Sequence, residues 1–211
     1  SRVSDIDQLG ALTGGRDVHR GRLETSRRWS YLTRKTKVIP DGYVELGELC
    51  RVHRGQVTGA NRIWIAGEHS EGMPSRFLFR TITKARELFA AGRVLRDSSP
   101  LRDVIDLPAD LDLLISDERR VVETFLRYAK AAGADKTYIA ANRKAWWSVG
   151  LRAPAPILAT YMARRPPAFV RNLAAVRHLN IAHGLYPRGA FGAIVLDRLV
   201  SYLSKAVSIT D

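Results

Sequence analysis

At 211 residues, 45% hydrophobic and 26% charged, the chain can bury a sizeable core and does not have the composition of a disordered tail. A formal net charge of +13 and a pI near 10.4 point to nucleic acid first and an acidic membrane surface second. No run approaches the ~18 apolar residues of a membrane span, and the lone Cys50 excludes an intramolecular disulfide.

Residues 1–40 are polar and basic, running from Arg16, Arg20 and Arg22 to Arg34, Lys35 and Lys37, with little apolar patterning. They read as an irregular leader or linker, anchored by Trp29, Tyr31 and Leu32. Opening inside such a segment is expected of a piece of a longer protein. The folded domain is expected over 41–211.

From Tyr43 the pattern tightens. Val44, Leu46, Leu49 and Val52 precede Arg54-Gly55-Gln56-Val57-Thr58-Gly59-Ala60-Asn61-Arg62, and Ile63-Trp64-Ile65 follows. Apolar and β-branched residues around two glycines predict strand, tight loop, strand. Glycine also lets a partner approach the backbone closely. Arg54, Gly55, Thr58, Gly59, Asn61 and Arg62 are therefore either contacts to phosphates and base edges or the residues of a plain hairpin turn. No Gly-Lys-Ser/Thr follows, so the loop is neither a P-loop nor a dinucleotide-binding fingerprint.

Phe77 to Thr83 reads as extended, and Lys84 to Ala91 as a short helix ended by Gly92. Val94-Leu95, Val104-Ile105 and Leu111 to Ile115 are strand candidates. Ser116 is placed to cap a helix over about 116–132, with Val122, Phe125, Leu126 and Ala129 on its apolar face and Gly133 closing it. Arg143 to Val149 reads as a strand, followed by apolar segments at Ile157 to Ala159, Ala168 to Val170 and Leu185-Tyr186. An amphipathic helix over about 190–208 carries Phe191, Val195, Leu199, Leu203 and Val207. Short strands mixed with two main helices, without βαβ alternation, give an α+β fold with mixed sheets.

The last third is the most one-sided in charge. From Lys136 to Leu196 there is no Asp or Glu, while Lys136, Arg143, Lys144, Arg152, Arg164, Arg165, Arg171, Arg177 and Arg188 all fall there. Such a stretch suits a polyanion and is poorly equipped for acid–base chemistry. The five histidines are scattered and no Cys-x-x-Cys or His-Glu-x-x-His pattern occurs, so no metal is expected. There is no Gly-x-Ser-x-Gly elbow for a nucleophile. Strand alternation would give Trp146 and Trp147 opposite faces, one in the core and one at a surface, or both are structural. Arg164-Arg165 before Pro166-Pro167 reads as a rigid exposed turn suited to phosphate. Asn172, Asn180 and the neighbouring His183 either meet base edges or satisfy local structure.

With these residues assembled, a resemblance emerges. Val44-Glu45-Leu46-Gly47-Glu48-Leu49 leading into Arg54 to Asn61, then Arg143-Lys144-Ala145-Trp146-Trp147, Pro156-Ile157-Leu158, Arg164-Arg165 and Asn172, resembles the C-terminal target-recognition domain of TaqI-like adenine-specific DNA methyltransferases, across roughly residues 29–205. The resemblance implies a domain that docks on duplex DNA while a preceding domain, binding S-adenosylmethionine and carrying an Asn/Asp-Pro-Pro-Tyr/Phe motif, performs the chemistry. That motif does not occur here: the only Pro-Pro pair is Pro166-Pro167. The expectation is thus a DNA reader without cofactor of its own, in a restriction–modification context. Its partners are double-stranded DNA and its own methyltransferase domain, and its location is cytoplasmic, with no membrane. The rivals are a complete nuclease with an unrecognised site and a basic protein-interaction module.

Overall fold

The computed structural model describes residues 18–25, 29, 39–160 and 166–206. The chain divides into two units, Ser1–Val44 and Glu45–Asp211. In the first, Arg20–Thr25 form a short helix, α1, with an exposed Arg20–Glu24 ion pair of 2.7 Å. The Trp29 indole donates to the Leu23 carbonyl at 3.0 Å, so this part of the expected irregular leader is helical. Tyr31 and Leu32 lie outside the described residues.

The second unit opens with α2 (Leu46–Leu49), whose Glu48 carboxylate accepts from the Glu45 amide at 3.0 Å, and β1 (Cys50–Arg54). The stretch after the glycine loop is a single helical turn, α3 (Asn61–Trp64), not the predicted strand. Ile63 and Trp64 are adjacent and both fully buried, which a two-faced strand at a core boundary does not permit. β2 (Leu78–Ile82) and α4 (Ala85–Ala90) fall where the sequence placed them. The Glu87 carboxylate starts α4 by accepting from the Thr83 and Lys84 amides at 2.7 and 3.0 Å. β3 (Val94–Leu95) and β4 (Arg102–Ile105) follow.

Leu111 to Ile115 is not a strand. Asp110 accepts from the Asp112 amide at 2.9 Å and winds Leu111–Leu113 into a 3-10 turn, as aspartate at a loop start favours. α5 (Ser116–Ala131) buries Val122, Phe125, Leu126 and Ala129 as its spacing requires. Its N-cap is Ile115 rather than Ser116, with no side-chain cap; Asp117 and Glu118 place negative charge in the first turn instead. Gly133 adopts the left-handed φ of 78° that ends the helix. α6 (Tyr138–Ala141) is a further single turn. The predicted strand over Arg143 to Val149 is a series of turns, since the Gly150 and Leu151 amides are pulled onto the Asp106 carboxylate at 2.8 and 2.7 Å. β5 (Ile157–Thr160), β6 (Phe169–Asn172), β7 (Arg177–His178), β8 (Ala182–Pro187) and α7 (Ala193–Ala206) complete an α+β fold.

Both sheets are mixed. One has the order β1-β8-β5-β6-β3, parallel only between β3 and β6; the other is β4-β2-β7, with β2 and β7 parallel. α7 covers one face of the larger sheet, setting Leu196, Val200 and Leu203 on Ile157, Phe169 and Leu185. The opposite face packs Leu158 and Val170 against Ile82, Leu88 and Leu95. A third core gathers Trp64, Val104, Ile105 and Leu179 around α5. The β1 end of the larger sheet is therefore an edge, and its side chains past the core are open to a ligand. Among the described residues no helix is long and apolar enough to cross a membrane.

Candidate nucleic-acid interface

Strand alternation puts Arg51 and His53 on one face of β1, and the antiparallel register sets them opposite Tyr186 and Gly184 of β8. At this edge Arg51, His53, Arg152, Ala153, Tyr186, Pro187 and Arg188 line an open cavity of about 510 Å³. Three arginines and no carboxylate line it. The scaffold is fixed: the Tyr186 hydroxyl donates to the Ala153 carbonyl at 2.8 Å, and the His53 ring meets Tyr186 edge-on at 5.7 Å. Arg188 Nε donates to the Gly47 carbonyl at 2.7 Å. Burial pushes the Tyr186 phenol above its ordinary pKa, with Arg152 and Arg177 pulling it back. All three arginines are exposed. The arrangement is a cationic cradle for an oxyanion such as phosphate.

Of the residues lining this cavity, only Arg152 was among the candidates read from the sequence. Arg51, His53 and Tyr186 were not singled out, although the alternation in Cys50-Arg51-Val52-His53-Arg54 carried the signal for the first two, and Arg188 was read only as one cation of the basic stretch. Arg54 and His183 face each other across the same strand pair but on the opposite face. Burial, and then the charge of Arg54, lower the His183 pKa.

The two sequence motifs do meet, though the contacts are internal. The Arg143 guanidinium donates through Nη2 to the carbonyls of Val57 at 2.7 Å and Thr58 at 3.1 Å. Burial lowers its pKa, with Asp106 opposing. Thr58 is 1% exposed, and its hydroxyl donates to Asn61 Oδ1 while accepting from the Ala60 amide at 3.2 Å. Gly55 leaves no space for a partner: a Cβ there would stand 2.1 Å from the Leu179 carbonyl oxygen. Gly59 has a φ of +81° and packs on Thr137 and Ile139. Arg143 thus clamps the glycine loop, and the glycines admit the protein's own atoms, the Leu179 backbone at Gly55 and the Thr137 and Ile139 side chains at Gly59.

The tryptophans are half-buried and pack against the core. Trp146 meets Trp64 edge-on at 6.3 Å and Trp147 at 5.8 Å, and the Trp147 indole donates to the Pro108 carbonyl at 3.0 Å. Asn172, 7% exposed, donates to the carbonyls of Ala155 and Val176 and accepts from the Val176 amide, all within 3.0 Å. Its amide is committed to internal backbone partners, which leaves nothing for a base edge. Asn180 is half-buried and its backbone N–H donates to the Gln56 carbonyl at 3.0 Å. Arg164 and Arg165 lie outside the described residues.

Asn61, Arg62 and Lys144 stay exposed. Asn61 and Arg62 share a second basic hollow of about 330 Å³ with Thr83, Lys84 and Arg102. Arg62 is tethered there, donating to the Ala132 carbonyl past the end of α5 at 3.1 Å. Among the described residues no group of three or more His, Cys, Asp or Glu side chains could hold a metal.

His178 lies where the two sheets join. It is 4% exposed, and its ring lies against Gly55 and Gly184, each of which would bring a Cβ within 2.7 Å of a ring carbon. Burial lowers its pKa to about 4, and the nearby His53 carbonyl pulls the other way without meeting hydrogen-bond geometry to Nε2.

Comparison with known proteins identifies the family of the chain. The C-terminal domain model of the type II methyltransferase M.Eco57I matches residues 34–206. The type II methyltransferase M.XamI of Xanthomonas campestris pv. amaranthicola is 52% identical over 206 residues, covering 98% of this chain and 39% of the relative. The chain thus spans about two-fifths of the length of that curated relative. The crystal structure of the type IIG restriction endonuclease BpuSI is similar over 75% of this chain and 20% of its own, with a TM-score of 0.49 and 16% identity. The family match spans most of the chain and shows that it belongs to the family of type II methyltransferase C-terminal domains typified by M.Eco57I.

Proposed function

We propose that this domain docks on duplex DNA, reads a short sequence and holds it in register for adenine methylation by a separate catalytic domain. The observation that carries the reading is the carboxylate-free cavity of Arg51, Arg152 and Arg188 on an exposed sheet edge. Phosphate contacts position a protein on DNA, and base-edge contacts specify the sequence. The cavity supplies the first kind. Asn61 and Arg62, exposed at the start of α3, supply the second, and Lys144, Arg164 and Arg165 add positive charge. An enzyme that acts on a base must take it out of the stack, so a second body that grips the duplex is mechanically useful.

The glycine loop after β1 does not fit S-adenosylmethionine. It is filled by the Leu179 carbonyl at Gly55 and by Thr137 at Gly59, leaving no cradle for a nucleotide. In this reading the cofactor and the methyl transfer belong to the catalytic domain.

Fluorescence anisotropy with labelled duplex across a salt series tests the proposal. Affinity should fall linearly on a log–log plot as salt rises, and each of Arg51→Ala, Arg152→Ala and Arg188→Ala should lower the slope by roughly 0.9, the loss of one phosphate contact. Absence of salt-dependent binding at low ionic strength would overturn it in favour of a protein-interaction role. Metal-dependent cleavage by the chain would favour a nuclease.

A further inference from the structure

Tyr138 is the most exposed large apolar side chain among the described residues, at 80%. Exposure alone is unremarkable for a single tyrosine. Its mount is what sets it apart. The Thr137 hydroxyl accepts from the Ala140 amide at 3.2 Å and donates to the Ala134 carbonyl at 3.3 Å. The Asn142 side chain donates to the Tyr138 carbonyl at 2.7 Å. On either side of the tyrosine, Thr137 and Ile139 pack on Gly59, where an added Cβ would lie 2.8 Å from Thr137 Oγ1 and 3.2 Å from Ile139 Cβ. Arg143, at the end of the same turn, holds the Val57 and Thr58 carbonyls. The Tyr138 backbone is therefore fixed relative to the loop that presents Asn61 and Arg62, while its ring stands in solvent.

The surroundings are cationic. Lys136 and Lys144 are exposed within the same segment, and Arg62 reaches the Ala132 carbonyl just before it. The one carboxylate nearby in sequence, Asp135, is half-buried. A bulky ring left 80% exposed on a rigid turn, with two exposed lysines in the same segment, contributes little to packing. It has a use against a nucleic-acid base, whose flat face any aromatic ring can cover and whose phosphates the lysines attract. Trp146 and Trp147, the other aromatics of this region, are half-buried and packed against the core. Apolar side chains inserted at a base step unstack and kink a duplex, and a base that leaves the stack exposes the face of its neighbour.

We propose that Tyr138 is a positioning residue that inserts beside the Gly59–Arg62 loop and stacks on a base left exposed when the duplex is opened. This rests on the DNA-docking reading, and its test separates the two. The chain is titrated with two labelled duplexes of one sequence, fully paired and carrying a single abasic site, by anisotropy at low salt. The unaltered chain should prefer the abasic duplex, where the step is already open. Tyr138→Ala should erode that preference by roughly 5- to 150-fold, the usual range for one lost stacking contact. Tyr138→Phe, which keeps the ring, should retain it, and both variants should keep the salt slope of the parent. An abasic preference unchanged in Tyr138→Ala, with salt-dependent binding intact, overturns the stacking role and leaves docking standing. Failure of the unaltered chain to bind either duplex overturns both.

Discussion

Replacing Arg143 by alanine separates a loop clamp from a phosphate contact, the two roles open to an arginine in this basic region. The side chain donates from one nitrogen to two carbonyls, Val57 and Thr58, across 86 and 85 residues of sequence. A hydrogen bond to a charged group contributes ~1.5–3 kcal/mol net. Two bonds shared by one nitrogen, offset by the cost of burying a guanidinium whose Nε has no partner, leave a net contribution of about 2 kcal/mol. For a domain of this size that corresponds to a fall in Tm of about 4–8 °C. Thermal unfolding followed by circular dichroism measures the first quantity, and salt-titrated DNA anisotropy at a temperature where both proteins are folded measures the second. Arg143→Ala should lower Tm and leave the salt slope unchanged. A slope reduced by about 1 with Tm unaltered would place the guanidinium on a phosphate and refute the clamp.

Gly55→Ala should destabilise the chain by about 3 kcal/mol or more, because its methyl would meet backbone at Leu179 that cannot move aside cheaply. Gly47→Ala, where nothing lies within 4 Å, should change stability little; equal urea midpoints for the two variants would contradict the close approach at Gly55. Stability should also depend on pH through His178. Its folded pKa of about 4 lies below the ordinary 6.5, so as pH falls the unfolded chain takes the proton first. The contribution is fully present above about pH 6.5 and is lost on descending to about 4, amounting to at most about 3 kcal/mol at 1.36 kcal/mol per unit. Urea melts across that window should show the loss, and His178→Gln should flatten it. An identical slope in the variant would refute the assignment.

The parts of the fold legible in the sequence are those where one residue's neighbours decide its structure. The four apolar residues of α5 repeat at helical spacing, Gly133 marks the stop, and the apolar and β-branched segments at β2, β3 and β4 read as strands. The failures are long-range. Nothing local to Ile63-Trp64 says that both side chains face one core, and nothing local to Val149 says that Asp106 will draw the next two amides into a turn. The site shows the same limit. Arg143 and Asn172 have the right chemistry to contact DNA, and only the fold shows that backbone carbonyls already occupy them. Arg51 and His53 lay in plain view as an alternating pair. Their meaning depended on Arg152 and Arg188 arriving from the far end of the chain.

That dependence also bears on how the molecule is made. β8 is a central strand, hydrogen-bonded to both β1 and β5, and its register joins Cys50 to Pro187. Pairing between such distant segments is slow to nucleate, because the intervening chain must be closed into a loop first. During synthesis β1 waits on the order of ten seconds for its partner at 5–20 residues per second. For that interval its backbone groups form an open edge that a neighbouring nascent chain can occupy. Arg51 and Arg54 supply the like-charge repulsion that discourages such pairing. Any transplant of this domain between enzymes must therefore carry β1 and β8 together, since a junction between them would leave half a sheet in each product.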